Sequence, residues 1–218
     1  MTNPNAPQAD DIQAQNVREY FDAYAAEYEK ESFPIIDAAK DFLRAVAWPG
    51  MKLLDVGCGP GNVTGELSDS VHVSGFDASH PMIEIARRRR PAGTWIVHGL
   101  QEPWPMTLNG PFELILANGV FTFVRDLAAS LRILVPRMGP RARLYFTVEE
   151  TMNGSSSDLG FVKRKTLDIF LRSQKEVLRD LSEVGLRTVY YRRDLGWRSK
   201  ALHSSFECGY WLAEKSVG

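Results

Sequence analysis

The sequence predicts an α/β fold: a doubly wound, mostly parallel sheet of seven strands, helices on both faces, the last strand antiparallel. Three observations lead there. From residue 51 onward, short runs rich in Leu, Val, Ile and Phe alternate with longer stretches of helical period, the pattern of βα units around a parallel sheet. Gly, Pro, Ser and Asp mark the changeovers. The final strand-like runs, LRTVYYRRD and SFECGYWLAE, have no helical stretch between them, which turns the last strand antiparallel.

Each element follows from its own residues. Residues 1–10 are polar with two prolines and read as a disordered tail. From Asp11, Val17, Phe21, Tyr24 and Tyr28 recur at intervals of three or four with Tyr20 beside them, giving a helix with one aromatic face. Pro34 interrupts it, and a second helix covers Ile35 to Val46 before the Trp48-Pro49-Gly50 break. These helices form an N-terminal cap (11–48) on a single domain (11–218). MKLLDVG is then a strand and NVTGELSDS opens a helix. VHVSGFD is a strand and SHPMIEIARRRR a helix closed by Pro91. TWIVHG is a strand, followed by the loop LQEPWPMTLNG. FELILAN is a strand, VRDLAASLRILVPRMG a helix, and RARLYFTVEE the fifth strand. After a Gly/Ser-rich loop, an amphipathic helix runs through LDIFLRSQKEVLRDLSEV to Gly185, ahead of the two closing strands.

Composition narrows the function. Of 218 residues 44% are hydrophobic, enough for a substantial core. The formal charge of −1 argues against nucleic acid as the main partner. No apolar run is long enough to span a bilayer, and the opening MTNPNAPQADD has neither a basic nor an apolar segment, which argues against export and for a cytoplasmic setting. Cys58 and Cys208 lie far apart without metal-ligand spacing, so neither a disulfide framework nor a metal site is expected.

The densest signal is LLDVGCGPGNVT. Gly57, Gly59 and Gly61 alternate directly after a strand, where ligands bind in open α/β sheets. Glycine permits positive φ and removes the Cβ that would hold a ligand away from backbone amides. The dinucleotide fingerprint requires G-x-G-x-x-G, but its third position here is Asn62, which demotes a nicotinamide site. Asp77 ends the next strand, 20 residues after Gly57, where a carboxylate can accept both hydroxyls of a ribose. An aspartate there can also merely cap a helix, as Ser79 can.

LLDVGCGPGNVT, followed by GFDAS and PMIEIA, closely resembles the first motifs of the class I S-adenosylmethionine-dependent methyltransferases, with similarity continuing through FELILAN and LYFTVEE. The resemblance implies a Rossmann-like fold and S-adenosylmethionine as cofactor, released as S-adenosylhomocysteine. It places Asp55 near the amino group of the methionine moiety, directly or through water, and Gly57, Gly59 and Gly61 beneath that moiety and the ribose. Asp77 holds the ribose hydroxyls, while Ala78 and Met82 pack on the adenine. Many members carry a Gly-Asp pair after the third strand, but this chain reads His98-Gly99-Leu100-Gln101. Leu100 and Gln101 then border the adenine, with Gln101 or backbone groups as acceptors. Ala117, Asn118 and Gly119 line the sulfonium end.

The acceptor side is less defined. Tyr20, Tyr24 and Tyr28 either pack the first helix on the domain or face the pocket as a lid. Phe121 and Glu149 are further substrate candidates, and Tyr24, Asn118 and Glu149 candidate catalytic groups. Glu149 and Glu150 are otherwise solvated strand ends. Arg87 to Arg90 read as the last turn of a helix, where cations suit the dipole. NGVF (Asn118 to Phe121) lacks the Asn-Pro-Pro-aromatic stretch of base-amino methylating enzymes. His72, His80, His98 and His203 read as structural or surface groups. The reading is methyl transfer to a nitrogen or oxygen of a small molecule by a monomer or homodimer, without a membrane partner. Alternatives are a protein or tRNA methyltransferase, lyase or cyclase chemistry on the same cofactor fold, and a non-catalytic binding module.

Overall fold

The computed structural model describes residues 9–31, 33–108, 110–150, 160–164, 166–199 and 204–216. The expected tail through residue 8, the loop residues 151–159 and His203 lie outside them.

Two helices come first, α1 (Ala9–Tyr28) and α2 (Pro34–Val46). Then come β1 (Lys52–Val56), β2 (His72–Asp77), α3 (His80–Arg89), β3 (Thr94–Val97), β4 (Phe112–Ala117), α4 (Leu127–Leu134) and β5 (Met138–Glu149). The remainder is β6 (Gly160–Arg164), β7 (Leu167–Leu171), α5 (Gln174–Glu183), β8 (Leu186–Ser199) and β9 (Ser204–Lys215). Seven strands form one sheet in the order β3-β2-β1-β4-β5-β9-β8. Pairings among β1 to β5 are parallel, and β9 is antiparallel to both β5 and β8. The doubly wound sheet with an antiparallel last strand is as the sequence predicts.

Strand order reverses between β1 and β4, so their carboxyl ends open the crevice where such sheets bind ligands. Both faces are covered, which is why these strands read as continuous apolar runs. Leu54, Val56, Ile115, Leu144 and Phe146 pack with residues of α4 and α5 on one face. Leu53, Leu114, Leu116 and Tyr145 pack with residues of α2 and α3 on the other.

Four element expectations differ from the structure. α1 begins at Ala9, two residues before the expected start at Asp11. NVTGELSDS forms turns rather than a helix. Gly61 has φ +72°, Thr64 donates its hydroxyl to Asp55, and the Arg90 guanidinium takes the carbonyls of Leu67, Ser68 and Val71. The stretch keeps only isolated turn bonds, Gly65 N–H to Gly61 O at 2.8 Å and Leu67 N–H to Thr64 O at 3.2 Å, and Arg90 takes carbonyls that a longer helix would have used. The helix expected over 167–184 begins only at Gln174, where Ser173 and Glu176 form a reciprocal capping box. The preceding LDIFL is β7, paired antiparallel with β6. The helix expected from Val124 starts three residues later, because Asp126 caps α4 by accepting from Ala129 N–H at 2.8 Å.

α1 is fastened to the sheet domain by polar ties as well as packing. The Gln13 amide donates to Asp168 O at 2.8 Å and accepts from Asp168 N at 3.2 Å. Phe21, Ala25 and Tyr28 pack with Met82 and Ile85 of α3. The chain following β4 is held by Arg172, 1% exposed. Its guanidinium donates to the carbonyls of Phe121 (3.0 Å), Phe170 (3.3 Å), Arg125 (3.1 Å) and Val124. Burial pulls its pKa down to about 10. Arg172→Met removes the donor from several enclosed carbonyls at once, so the expected loss is about 3 kcal/mol or more. Urea denaturation of the two proteins measures it, and a loss within 0.5 kcal/mol, about that of a surface change, contradicts this role.

Candidate functional site

The turn after β1 holds Gly57, Gly59 and Gly61 at φ +60°, +52° and +72°, a region L side chains rarely adopt. Space is limiting at Gly57, where a Cβ would lie 2.6 Å from Val120 Cγ2. Asp77, at the end of β2, fixes the turn from the side. Its Oδ2 accepts from Gly59 N–H at 2.9 Å and its Oδ1 from Ser79 N–H at 2.9 Å. Burial raises the Asp77 carboxyl pKa and these two amide bonds oppose the rise. Asn62, the residue that breaks the dinucleotide fingerprint, ties the turn outward. Its amide donates to Tyr28 O at 3.2 Å, and its Oδ1 accepts from Arg89, which also donates to Pro60 O at 3.0 Å.

The turn forms the floor of a cavity of about 590 Å³, within the roughly 300–1,000 Å³ of small-molecule sites. One wall is α1, through Gln13, Val17, Phe21 and Tyr28. The ends of β2, β3 and β4 supply the others. Among the sequence candidates, Gly57, Gly59, Asp77, Ala78, Met82, Leu100, Gln101, Asn118, Gly119 and Tyr28 line this cavity.

The remaining candidates lie elsewhere. Asp55 is 3% exposed and accepts from Thr64 Oγ1 at 2.7 Å, and burial lifts its pKa to about 7. Gly61 faces α3, where a Cβ would meet Ala86. Ala117 and Phe121 belong to the core. Tyr20 stands against Phe21 and Tyr24. Tyr24 donates its hydroxyl to Glu31 Oε1 at 2.8 Å, and burial, then this bond, raise its pKa well above the usual phenol value. Glu149 is buried on β5 opposite Cys208. Glu150 is buried too, accepting from the Tyr191 hydroxyl at 2.8 Å. Both glutamates are enclosed rather than solvated strand ends. Of the three candidate catalytic groups, Asn118 alone lines the cavity.

Several cavity residues escaped sequence reasoning. Phe123 meets Phe21 edge-on at 5.5 Å, and the aromatic wall continues to Tyr28, behind which Phe33 and Trp197 extend the row of rings into the core away from the cavity. Arg18 and Glu102, 84 positions apart, pair across the cavity lining at 3.0 Å, and Arg125 pairs with Asp10 at 3.0 Å. No local pattern announces such pairs. The arginine run closes α3 as expected, and three of its side chains also hold backbone: Arg87 donates to Trp95 O at 2.9 Å, and Arg89 and Arg90 to further carbonyls.

A family model described as a methyltransferase domain matches residues 25–201. Trans-aconitate 2-methyltransferase of Rhizobium etli is 36% identical over 106 residues, which are 47% of this chain and 40% of that protein. The chain thus spans well under half the length of that curated relative. Malonyl-[acyl-carrier protein] O-methyltransferase of Legionella pneumophila is 23% identical over 210 residues, covering 77% of this chain and 71% of that protein. Among solved structures, a 1,6-didemethyltoxoflavin-N1-methyltransferase of Burkholderia thailandensis, with S-adenosylhomocysteine bound, superimposes with a TM-score of 0.72 at 18% identity. The superposition covers 98% of this chain and 93% of that one.

The enclosed Asp55 has a consequence for stability. Its folded pKa of about 7 exceeds the unfolded value of 3.8, so the folded state binds more protons between those values. Stability contributed by this group is intact below about pH 4 and falls as pH rises toward 7, by up to about 1.4 kcal/mol per pH unit. Asp55→Asn keeps an acceptor for Thr64 and is expected to flatten this fall. Denaturation midpoints of both proteins from pH 4 to 8 test it, and parallel curves sink it.

Proposed function

The chain belongs to the methyltransferase-domain family, and on that premise we propose that it transfers the methyl group of S-adenosylmethionine to a nitrogen or oxygen nucleophile of a small molecule. The observation that carries the reading is the glycine turn, tied through Gly59 N–H to Asp77 at the floor of the cavity. The fit is physical. A Cβ on Gly59 would meet only Tyr28 Cε1, at 3.9 Å, so the backbone there stands clear on the cavity side. Each Asp77 oxygen carries one amide bond and has a lone pair to spare for a ribose hydroxyl.

In this reading Ala78 and Met82 pack on the adenine, Leu100 and Gln101 border it, and Asn118 lies at the sulfonium end. Gly61 and Ala117 shape the turn and the end of β4 from behind. Asp55 acts on the amino end through a water from beneath the turn.

Bound, the cofactor supplies a methyl group on a good leaving group. The protein's work is alignment and exclusion of water. Alignment can lower a barrier by about 7–11 kcal/mol, whereas a general base contributes about 10²–10⁴-fold. Positioning by α1 and the aromatic wall therefore outweighs any single base, which agrees with the burial of Glu149 and the engagement of the Tyr24 hydroxyl by Glu31.

A carboxylate is the favoured acceptor. It is already an anionic nucleophile at neutral pH. The trans-aconitate and malonyl-[acyl-carrier protein] relatives are named for substrates that contain carboxylates. A ring nitrogen is the second reading, favoured by the aromatic wall.

Calorimetry with S-adenosylhomocysteine should detect binding, and its absence would end this proposal. Asp77→Ala is expected to weaken binding about 100-fold, the loss of charge-assisted hydrogen bonds to both hydroxyls, with Asp77→Asn intermediate. Affinity unchanged in Asp77→Ala refutes the ribose role. For the acceptor, cofactor consumption over a panel of di- and tricarboxylates, read by product mass, should single out compounds that gain one methyl ester. Turnover only with amines or heterocycles would move the acceptor to nitrogen.

A further inference from the structure

Asn118 and Thr147 stand side by side at the carboxyl ends of β4 and β5, just past the Ala117–Phe146 pair. Thr147 is 1% exposed, and its hydroxyl is engaged on both sides. Oγ1 accepts from Gly119 N–H at 2.7 Å and donates to Asn118 Oδ1 at 3.4 Å. Gly119 is itself held at φ +76°, with Ile35 and Trp197 packed against the place a Cβ would take. Asn118 lines the cavity. Its Nδ2 is not enclosed and makes no hydrogen bond with the described residues.

These contacts decide which way the carboxamide faces. A hydroxyl has one proton to give and two lone pairs to accept with. With Gly119 N–H on one lone pair, the proton of the buried Thr147 needs an acceptor. Asn118 Oδ1 is the one the described residues offer. Turning the amide over would bring the hydroxyl a second donor and strand its proton, an unmade bond in a buried place. The carboxamide therefore keeps its oxygen on Thr147 and its two N–H donors on the open side.

The geometry points to the Asn118 amide as the donor that receives an oxygen of the methyl acceptor, with Thr147 as the positioning residue that keeps it turned. This rests on the methyl-transfer reading and narrows it, because the acceptor must then present a hydrogen-bond acceptor to the wall. A carboxylate does so, whereas a protonated amine would set donor against donor. One carboxylate oxygen accepts from Nδ2 while a lone pair of the other forms the new O–CH3 bond. The S–CH3 bond breaks and its electron pair stays on sulfur. Carboxylate and sulfonium thus become ester and thioether, with no proton to move. The carboxylate loses charge along this path, so the donor holds it at least as well before transfer as during it. The contribution of Asn118 therefore falls on acceptor binding more than on the chemical step.

Proton–nitrogen correlation spectra of the isotope-labelled chain, with and without S-adenosylhomocysteine, read this directly. The side-chain NH2 pair of Asn118 is the one that Asn118→Asp removes. Acetate, malonate and trans-aconitate are the carboxylate probes, and benzylamine is the amine probe. The Asn118 pair should move with at least one carboxylate and stay in place with benzylamine. Thr147→Val should weaken that carboxylate titration about tenfold, the worth of one charge-assisted bond left unoriented. Thr147→Ser should restore it, and both Thr147 variants should bind S-adenosylhomocysteine much as the wild type does. For a carboxylate that is turned over, the Thr147→Val defect should appear in KM far more than in kcat. An Asn118 pair that no carboxylate moves, or that titrates equally in Thr147→Val, overturns the assignment. So does an Asn118→Asp chain that loses as much affinity for S-adenosylhomocysteine as for carboxylates, because the donor then serves the cofactor. Failure of the wild-type chain to bind S-adenosylhomocysteine is a separate result, which refutes the cofactor reading itself.

Discussion

The Asp77 carboxylate is the constraint on which the site depends. One oxygen accepts from Gly59 N–H and the other from Ser79 N–H, so one side chain joins the turn after β1 to the start of α3. Without that bridge, a turn of three positive-φ glycines would have little to choose between its many backbone conformations. With it, the amides and the carboxylate are pre-arranged before any ligand arrives, and the ordering cost of binding falls. Asn62 and Arg89 complete the arrangement from the opposite side, anchoring the same turn to the end of α1.

Helix α1 is joined to this frame by a small apolar cluster on α3 and by polar contacts with residues distant in sequence. Gln13 pairs with Asp168, Arg18 with Glu102, and Asn62 reaches Tyr28 O. Such bonds are individually modest and exchangeable with water. A covering element held this way can loosen without opening the two main core clusters, which would suit the proposed methyl transfer, where a cofactor and an acceptor enter and two products leave.

The sheet was legible in the sequence because strands buried on both faces have no choice but to be apolar, and because the glycine turn has few other uses. The floor of the site, Gly57, Gly59 and Asp77, was legible for the same reason. Elements decided by tertiary bonds were not. LDIFL has a helix-compatible period, yet it pairs with β6, and the Ser173 cap alone marks the true helix start. NVTGELSDS is unwound by Asp55 and Arg90, partners that no local window contains. The acceptor side was least legible, since Arg18, Glu102, Phe123 and Arg125 meet only in the folded chain. Glu149 and Tyr24 looked available as polar groups near strand and helix ends, but burial and existing partners withdraw them from the cavity.

Arg172 holds the stretch from Phe121 to Arg125 through main-chain carbonyls, the same groups whatever side chains that stretch carries. The shape of this wall is therefore insulated from its own sequence. On the proposed methyl transfer, a cavity residue such as Phe123 can be exchanged while the loop keeps its course, so new acceptors become reachable by substitutions that leave Gly57, Gly59 and Asp77 untouched. A guanidinium buried far along the chain thus acts as a source of evolvability.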